Sequence, residues 1–150
     1  MTYHKALLAG ILLTVCACSD TTDSPEQGIR NWLDESEAAL EDGDWRALAE
    51  HIASHYEDGR GNDKDRLAGQ LRAALLRQGG TIEIVTIVDE IELFGDDAAS
   101  VVLTARFVSI DKRLTGAEAG SYRVKLDLAA VGDDWQVYSA RWGSSERDWR

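Results

Sequence analysis

The chain has 150 residues, 44% of them hydrophobic, with 16 lysines and arginines against 27 aspartates and glutamates, a formal charge of −11. That length holds about one domain with a real apolar core. The acidic surface repels phosphate backbones and anionic headgroups, so no nucleic-acid partner is expected and any membrane attachment must come from an anchor.

His4 and Lys5 give the chain a short, weakly positive start, and no charge follows from Ala6 to Ser19. This run is shorter than the ~20 apolar residues of a spanning helix. It fits the hydrophobic part of a secretory signal peptide, which ends at small residues. Both cysteines stand at its end, in "VCAC". A metal site needs further soft ligands, and there is no other cysteine. The redox motif is C-x-x-C, and this is C-x-C. A disulfide between Cys16 and Cys18 closes almost no loop and stabilises little. A processing site remains, either ordinary secretion with cleavage after Ala17 or acylation.

Val15, Cys16, Ala17 and Cys18 resemble a bacterial lipoprotein signal: aliphatic, small, small, then the acylated cysteine. The resemblance implies a signal peptide over residues 1–17, diacylglycerol on the Cys18 sulfur and a third chain on its amine. Several chains make a stable anchor. With Ser19 after the cysteine and Asp20 one position later, the resemblance implies an outer-membrane lipoprotein facing the periplasm of a bacterial envelope. Residues 18–27 are polar, carry the only proline, Pro25, and read as a flexible tether.

The folded domain is expected over residues 28–143, with a polar tail over 144–150. "GIRNWLDESEAALEDGD" sets Ile29, Trp32, Leu33, Ser36 and Leu40 on one helical face, with Asp34, Glu35, Glu37 and Glu41 elsewhere. Gly43 ends this helix, and Asp44 caps the next by accepting backbone N–H bonds. "WRALAEHIASHY" stacks Trp45, Leu48, Ala49, Ile52 and Tyr56 as a second helix. "DGRGND" is a loop with Asn62 or Asp63 as an N-cap. A third helix, "KDRLAGQLRAALLRQGG", aligns Leu67, Leu71, Ala74 and Leu75, with Gly79 as its C-terminal cap.

After Gly80 the period becomes that of a strand. Ile82 and Ile84 point inward, then Ile91 and Leu93 do. The parity switch predicts a β-bulge between Val85 and Asp89. Gly95-Asp96 suits a two-residue turn. "AASVVLTARFVSI" is apolar on both faces, as a central strand is. The loop "DKRLTGAEAG" leads to "SYRVKLDLAAV", with Tyr122, Val124, Leu126 and Leu128 on one face. Gly132-Asp133 turns into "WQVYSARW". The class is α+β: three N-terminal helices packed on a bent four-stranded antiparallel sheet.

This order, with "LEDGDWRALAEHIASHY" joining two helices through Gly-Asp-Trp and a closing "GDDWQVYSARW", resembles the nuclear transport factor 2-like, or cystatin-like cone, superfamily over about residues 27–143. The resemblance implies a cone with an inner cavity. The early hairpin usual between helices two and three is reduced or absent here, which opens the cavity mouth.

His51 and His55 fall one turn apart on a helix, a chelate spacing that lacks the glutamate of zinc proteases. A solvated and a boundary histidine is the simpler reading, so no metal is expected. Superfamily enzymes place an acid or base in the cone, where burial tunes its pKa. Here Asp89 falls near the bulge, and His55, Tyr56 and Tyr138 are placed to face the cavity. Arg106, unexpected on its strand, needs a carboxylate or anionic ligand if buried. Otherwise its stem packs and its head reaches water. No catalytic motif of those enzymes matches residue by residue. The expected function is therefore non-catalytic, without a cofactor: a lipid-anchored envelope protein binding a small apolar ligand or a protein partner, with a homodimer through the sheet among the partners. An isomerase- or dehydratase-type enzyme and a scaffold component of an envelope complex are the alternatives.

Overall fold

The computed structural model describes residues 24–78, 81–110 and 117–144. The expected signal peptide, Cys18, the expected Gly79 cap and residues 145–150 of the expected tail lie outside the described residues. Three helices precede four strands: α1 Pro25–Asp42, α2 Trp45–Glu50, α3 Lys64–Gln78, then β1 Thr81–Leu93, β2 Ala98–Ile110, β3 Ala117–Val131 and β4 Asp134–Gly143. The strands form one antiparallel sheet in the order β1-β2-β3-β4.

Helix α1 starts three residues before the expected boundary, so Pro25, Glu26 and Gln27 belong to the domain and not to a tether. Proline's fixed φ and missing N–H suit the first helical position. Ser24 supplies the cap, its Oγ accepting from Gln27 N at 3.2 Å. A Glu26–Arg30 pair at 2.7 Å, one turn apart, adds a few tenths of a kcal/mol at most. Gly43 ends the helix at φ 70°, a left-handed conformation that costs glycine little. Asp44 Oδ1 then accepts from Arg46 N and Ala47 N, both at 3.1 Å, and starts α2.

The second helix stops at Glu50, not Tyr56. The chain leaves it to pair with the edge of β4: Ile52 bridges Val137 in parallel. Ala53 N donates to Val137 O, and Val137 N donates to His51 O, both at 2.9 Å. These bonds satisfy backbone groups that the edge strand would otherwise leave open. A second bridge, Glu57 to Asp63, closes the loop before α3. The early hairpin is thus reduced to two bridges. Asp63 caps α3, its Oδ1 accepting from Arg66 N at 2.9 Å.

The parity switch of β1 is a bulge at Asp89, between the pairs Val88–Leu103 and Glu90–Val102. The β1–β2 connection runs Phe94–Asp97, longer than two residues, and closes through Phe94 N to Ala98 O at 2.8 Å. Strand β3 begins at Ala117, four residues before the expected Ser121. The Gly132-Asp133 turn joins the paired Val131 and Asp134. A second bulge, at Tyr138, separates Asp127–Ser139 from Leu128–Val137.

The packed core lies at one end of the sheet. There α1 sets Ile29, Trp32 and Leu33 against Val101, Leu128 and Val137. Ile29, Val101 and Leu128 are the largest side chains that are fully buried among the described residues. Full burial of such a side chain contributes about 1.5–3 kcal/mol. Toward the other end α3 stands off the sheet.

Candidate functional site

The gap between α1, α3 and the inner face of the sheet is a cavity of about 770 Å³. A ligand site of this size is ordinary for a small molecule. Its walls follow from the periodicities. Residues Leu33 and Leu40 reach it from α1, and Leu71 and Leu75 from α3. Ile82 and Ile84 come from β1 and Leu103, Ala105 and Phe107 from β2. Tyr122, Val124 and Leu126 extend the floor along β3, and Trp142 along β4. Phe107 and Tyr122 stack at 5.8 Å between ring centroids. Gly120 makes room for Phe107: a Cβ there would collide with its ring.

Polar groups are few and lie apart. Glu37 sits on α1 and also borders the shallow depression beside Thr86 and Val88 of β1. Arg60 borders the cavity beside Trp142 of β4, the opposite edge of the sheet. Ser36 Oγ donates to Trp32 O at 2.8 Å and lies 2.7 Å from His51 Nδ1. His51 Nε2 is 4.0 Å from a carboxylate oxygen of Glu35. This looks like a serine, a base and an acid. The hydroxyl is shared between the Trp32 carbonyl and the imidazole, however, and of Ser36, His51 and Glu35 only the serine lines the cavity.

None of the expected pocket residues lines this cavity. His55 is exposed and stacks on Tyr138 at 6.2 Å between ring centroids. Tyr138 is the bulged residue of β4, where its ring is turned toward His55. Asp89 is exposed and accepts from Thr104 Oγ1 at 3.1 Å, so the bulge aims it outward. Arg106 alternates with the inward Ala105 and Phe107 and is exposed on the outer face, its head in water. Tyr56 is buried, but in the core. With the helix ending at Glu50, His51 and His55 share no helical face. Among the described residues, no group of three or more histidines, cysteines or acids is placed to hold a metal.

Sequence reasoning missed the Asp58 turn. Asp58 is buried, yet its carboxylate accepts four hydrogen bonds. Arg60 N and Asn62 N donate to Oδ1 at 2.8 and 3.0 Å. Asn62 Nδ2 and Tyr56 Oη donate to Oδ2 at 2.8 and 3.3 Å. Burial opposes its charge, but these donors outweigh burial and hold the carboxyl below its usual range. Burial, then the Asp58 charge and bond, push the Tyr56 hydroxyl well above its ordinary value. The turn fixes the backbone from which Arg60 projects.

No protein-family model matches the chain, and no curated protein matches it either. Solved structures do match. A provisionally named scytalone dehydratase from Novosphingobium aromaticivorans superposes with TM-score 0.72 at 10% identity, over 80% of this chain and 83% of that one. A nuclear transport factor 2-like superfamily protein from Salmonella enterica gives 0.64 at 12% identity, over 80% and 90%. A domain of unknown function with a cystatin-like fold from Nostoc punctiforme gives 0.63 at 14% identity, over 83% and 82%. The fold is nuclear transport factor 2-like. Identities this low carry the fold and not the activity. In this nuclear transport factor 2-like domain, three helices pack on an open four-stranded antiparallel sheet. No helix among the described residues is long and apolar enough to cross a membrane.

Proposed function

We propose that this is a lipid-anchored envelope protein, outer-membrane and facing the periplasm, whose cone-shaped domain binds a small apolar molecule without transforming it. The open, mainly apolar cavity carries the ligand reading: about 770 Å³ remain between α3 and the sheet, lined mostly by aliphatic and aromatic side chains. The residues favoured for acid–base work, Asp89, His55, Tyr56 and Tyr138, stand outside it. Among the described residues Glu37 is the one carboxylate on its wall. An isomerase- or dehydratase-type activity in the cavity would have Glu37 and Tyr122 to draw on.

A protein-partner reading rests on the outer face of the sheet. Val85, Ile87 and Val108 are 59%, 42% and 38% exposed there. A second copy of the chain is the partner proposed for that face, in a homodimer through the sheet.

The anchor rests on "VCAC" alone. Cys18→Ala is expected to abolish metabolic labelling by a fatty-acid analogue and leave an unprocessed or soluble form, while Cys16→Ser labels normally. Normal labelling of Cys18→Ala contradicts the anchor. Native mass spectrometry of the purified protein tests the cavity: the account expects an apolar molecule of a few hundred daltons to co-purify.

A further inference from the structure

We infer that the cavity selects an amphipathic monoanion: an apolar body within the cavity and a carboxylate head on the Arg60 guanidinium. The inference rests on the cavity being the ligand site and names the chemistry it takes.

Arg60 is the only cationic side chain on the cavity wall among the described residues. Its guanidinium lies 4.8 Å from the centroid of the Trp142 ring. One Nη donates to Trp142 O at a long 3.4 Å. Among the described residues no carboxylate lies within ion-pair distance of it. Among the described residues Arg30 pairs with Glu26 at 2.7 Å, while Arg46 and Arg72 lie over the Trp45 ring as Arg60 does over Trp142. A guanidinium held over an indole by a cation–π contact can turn the N–H groups not given to Trp142 O onto an oxyanion. A carboxylate matches that fork with two parallel bonds.

The base of this side chain is fixed before any ligand arrives. Arg60 N donates to Asp58 Oδ1 at 2.8 Å and Gly61 N to Asp58 O at 3.0 Å. Asp58 itself is buried. The turn therefore fixes the point from which the side chain extends, and the Trp142 contact is what orders its head.

Glu37 repels an anion, and its placement decides whether that matters. It stands at the β1 side, while Trp142 and Arg60 mark β4. Three inter-strand spacings separate those edges, about 14 Å. An anion on Arg60 is thus close to one cation and well removed from the acid, whose repulsion falls with distance.

The test compares decanoate with 1-decanol, equal in chain and different in head, by calorimetric titration of the full chain at about pH 8. Wild type is expected to bind both, decanoate more tightly. Arg60→Gln is expected to weaken decanoate roughly fivefold or more, the size of a lost charge-assisted contact at a partly exposed site. It should leave decanol unchanged. Equal effects on the two ligands, or no effect on decanoate, overturn the assignment of Arg60 while the cavity reading stands. Failure of wild type to bind either ligand overturns the cavity reading and this inference with it.

Discussion

Asp58→Ala is expected to lower the unfolding free energy by roughly 3 kcal/mol or more. The buried carboxylate accepts from Arg60 N, Asn62 N, Asn62 Nδ2 and Tyr56 Oη. Alanine leaves all four donors without it, and a buried unsatisfied group costs about 1–3 kcal/mol. Water entering the space recovers part of that. Urea titration reads the loss directly. Asp58→Asn should fall between, because one of its two terminal atoms is a donor facing donors.

The pH dependence has a definite sign. The folded carboxyl titrates below its ordinary range, and the unfolded one near 3.9. The stability it contributes is present above about pH 4 and is lost as pH falls through the folded value. Wild type should therefore lose stability more steeply than Asp58→Asn on acidification below pH 4. Parallel acid limbs in the two proteins would show that the carboxylate is not held by the turn.

Leu128→Ala and Leu71→Ala should differ by several-fold. Leu128 is fully buried at the packed end of the sheet. Its truncation leaves a closed void, which costs about 2–5 kcal/mol. Leu71 is half-buried and borders the cavity. Space opened there joins space that already exists, so only part of the transfer energy is lost, about 1 kcal/mol. Equal losses in urea titration would mean that α3 closes on the sheet and fills the cavity.

Much of the fold is legible in the sequence because local rules dictate it. Asp44 caps, Gly43 ends a helix, and Gly132-Asp133 turns a hairpin. The change of inward parity from Ile84 to Ile91 demands the Asp89 bulge. Helix α2 is less legible. Leu48, Ile52 and Tyr56 keep helical spacing, but Ile52 pairs with Val137, a partner 85 residues away in sequence. Local periodicity does not report long-range pairing.

The site was legible only in part. Alternation marks Tyr122, Val124 and Leu126 as inward, and they do line the cavity. It cannot say whether the opposing wall closes on them. Strand β2 is apolar on both faces, so Arg106 reads equally well on either, and the structure puts it outside. Residues chosen for titratable chemistry went to the surface or the core. Arg60, in a loop that reads only as glycine-rich, gave no signal. Its position depends on the buried Asp58 and on Trp142, 82 residues away.

The cavity itself is best tested by titrating the full chain with N-phenyl-1-naphthylamine, a neutral apolar fluorophore, beside an Ala74→Phe/Ala105→Phe variant. Both alanines border the cavity, and two rings there should fill much of it. The apolar N-terminal run is common to both proteins, so the difference between them isolates the cavity. The account predicts one saturable site in wild type, at least tenfold weaker in the variant, with the variant's thermal midpoint unchanged or raised. A variant that binds the probe like wild type, or a wild type with no saturable site, contradicts it.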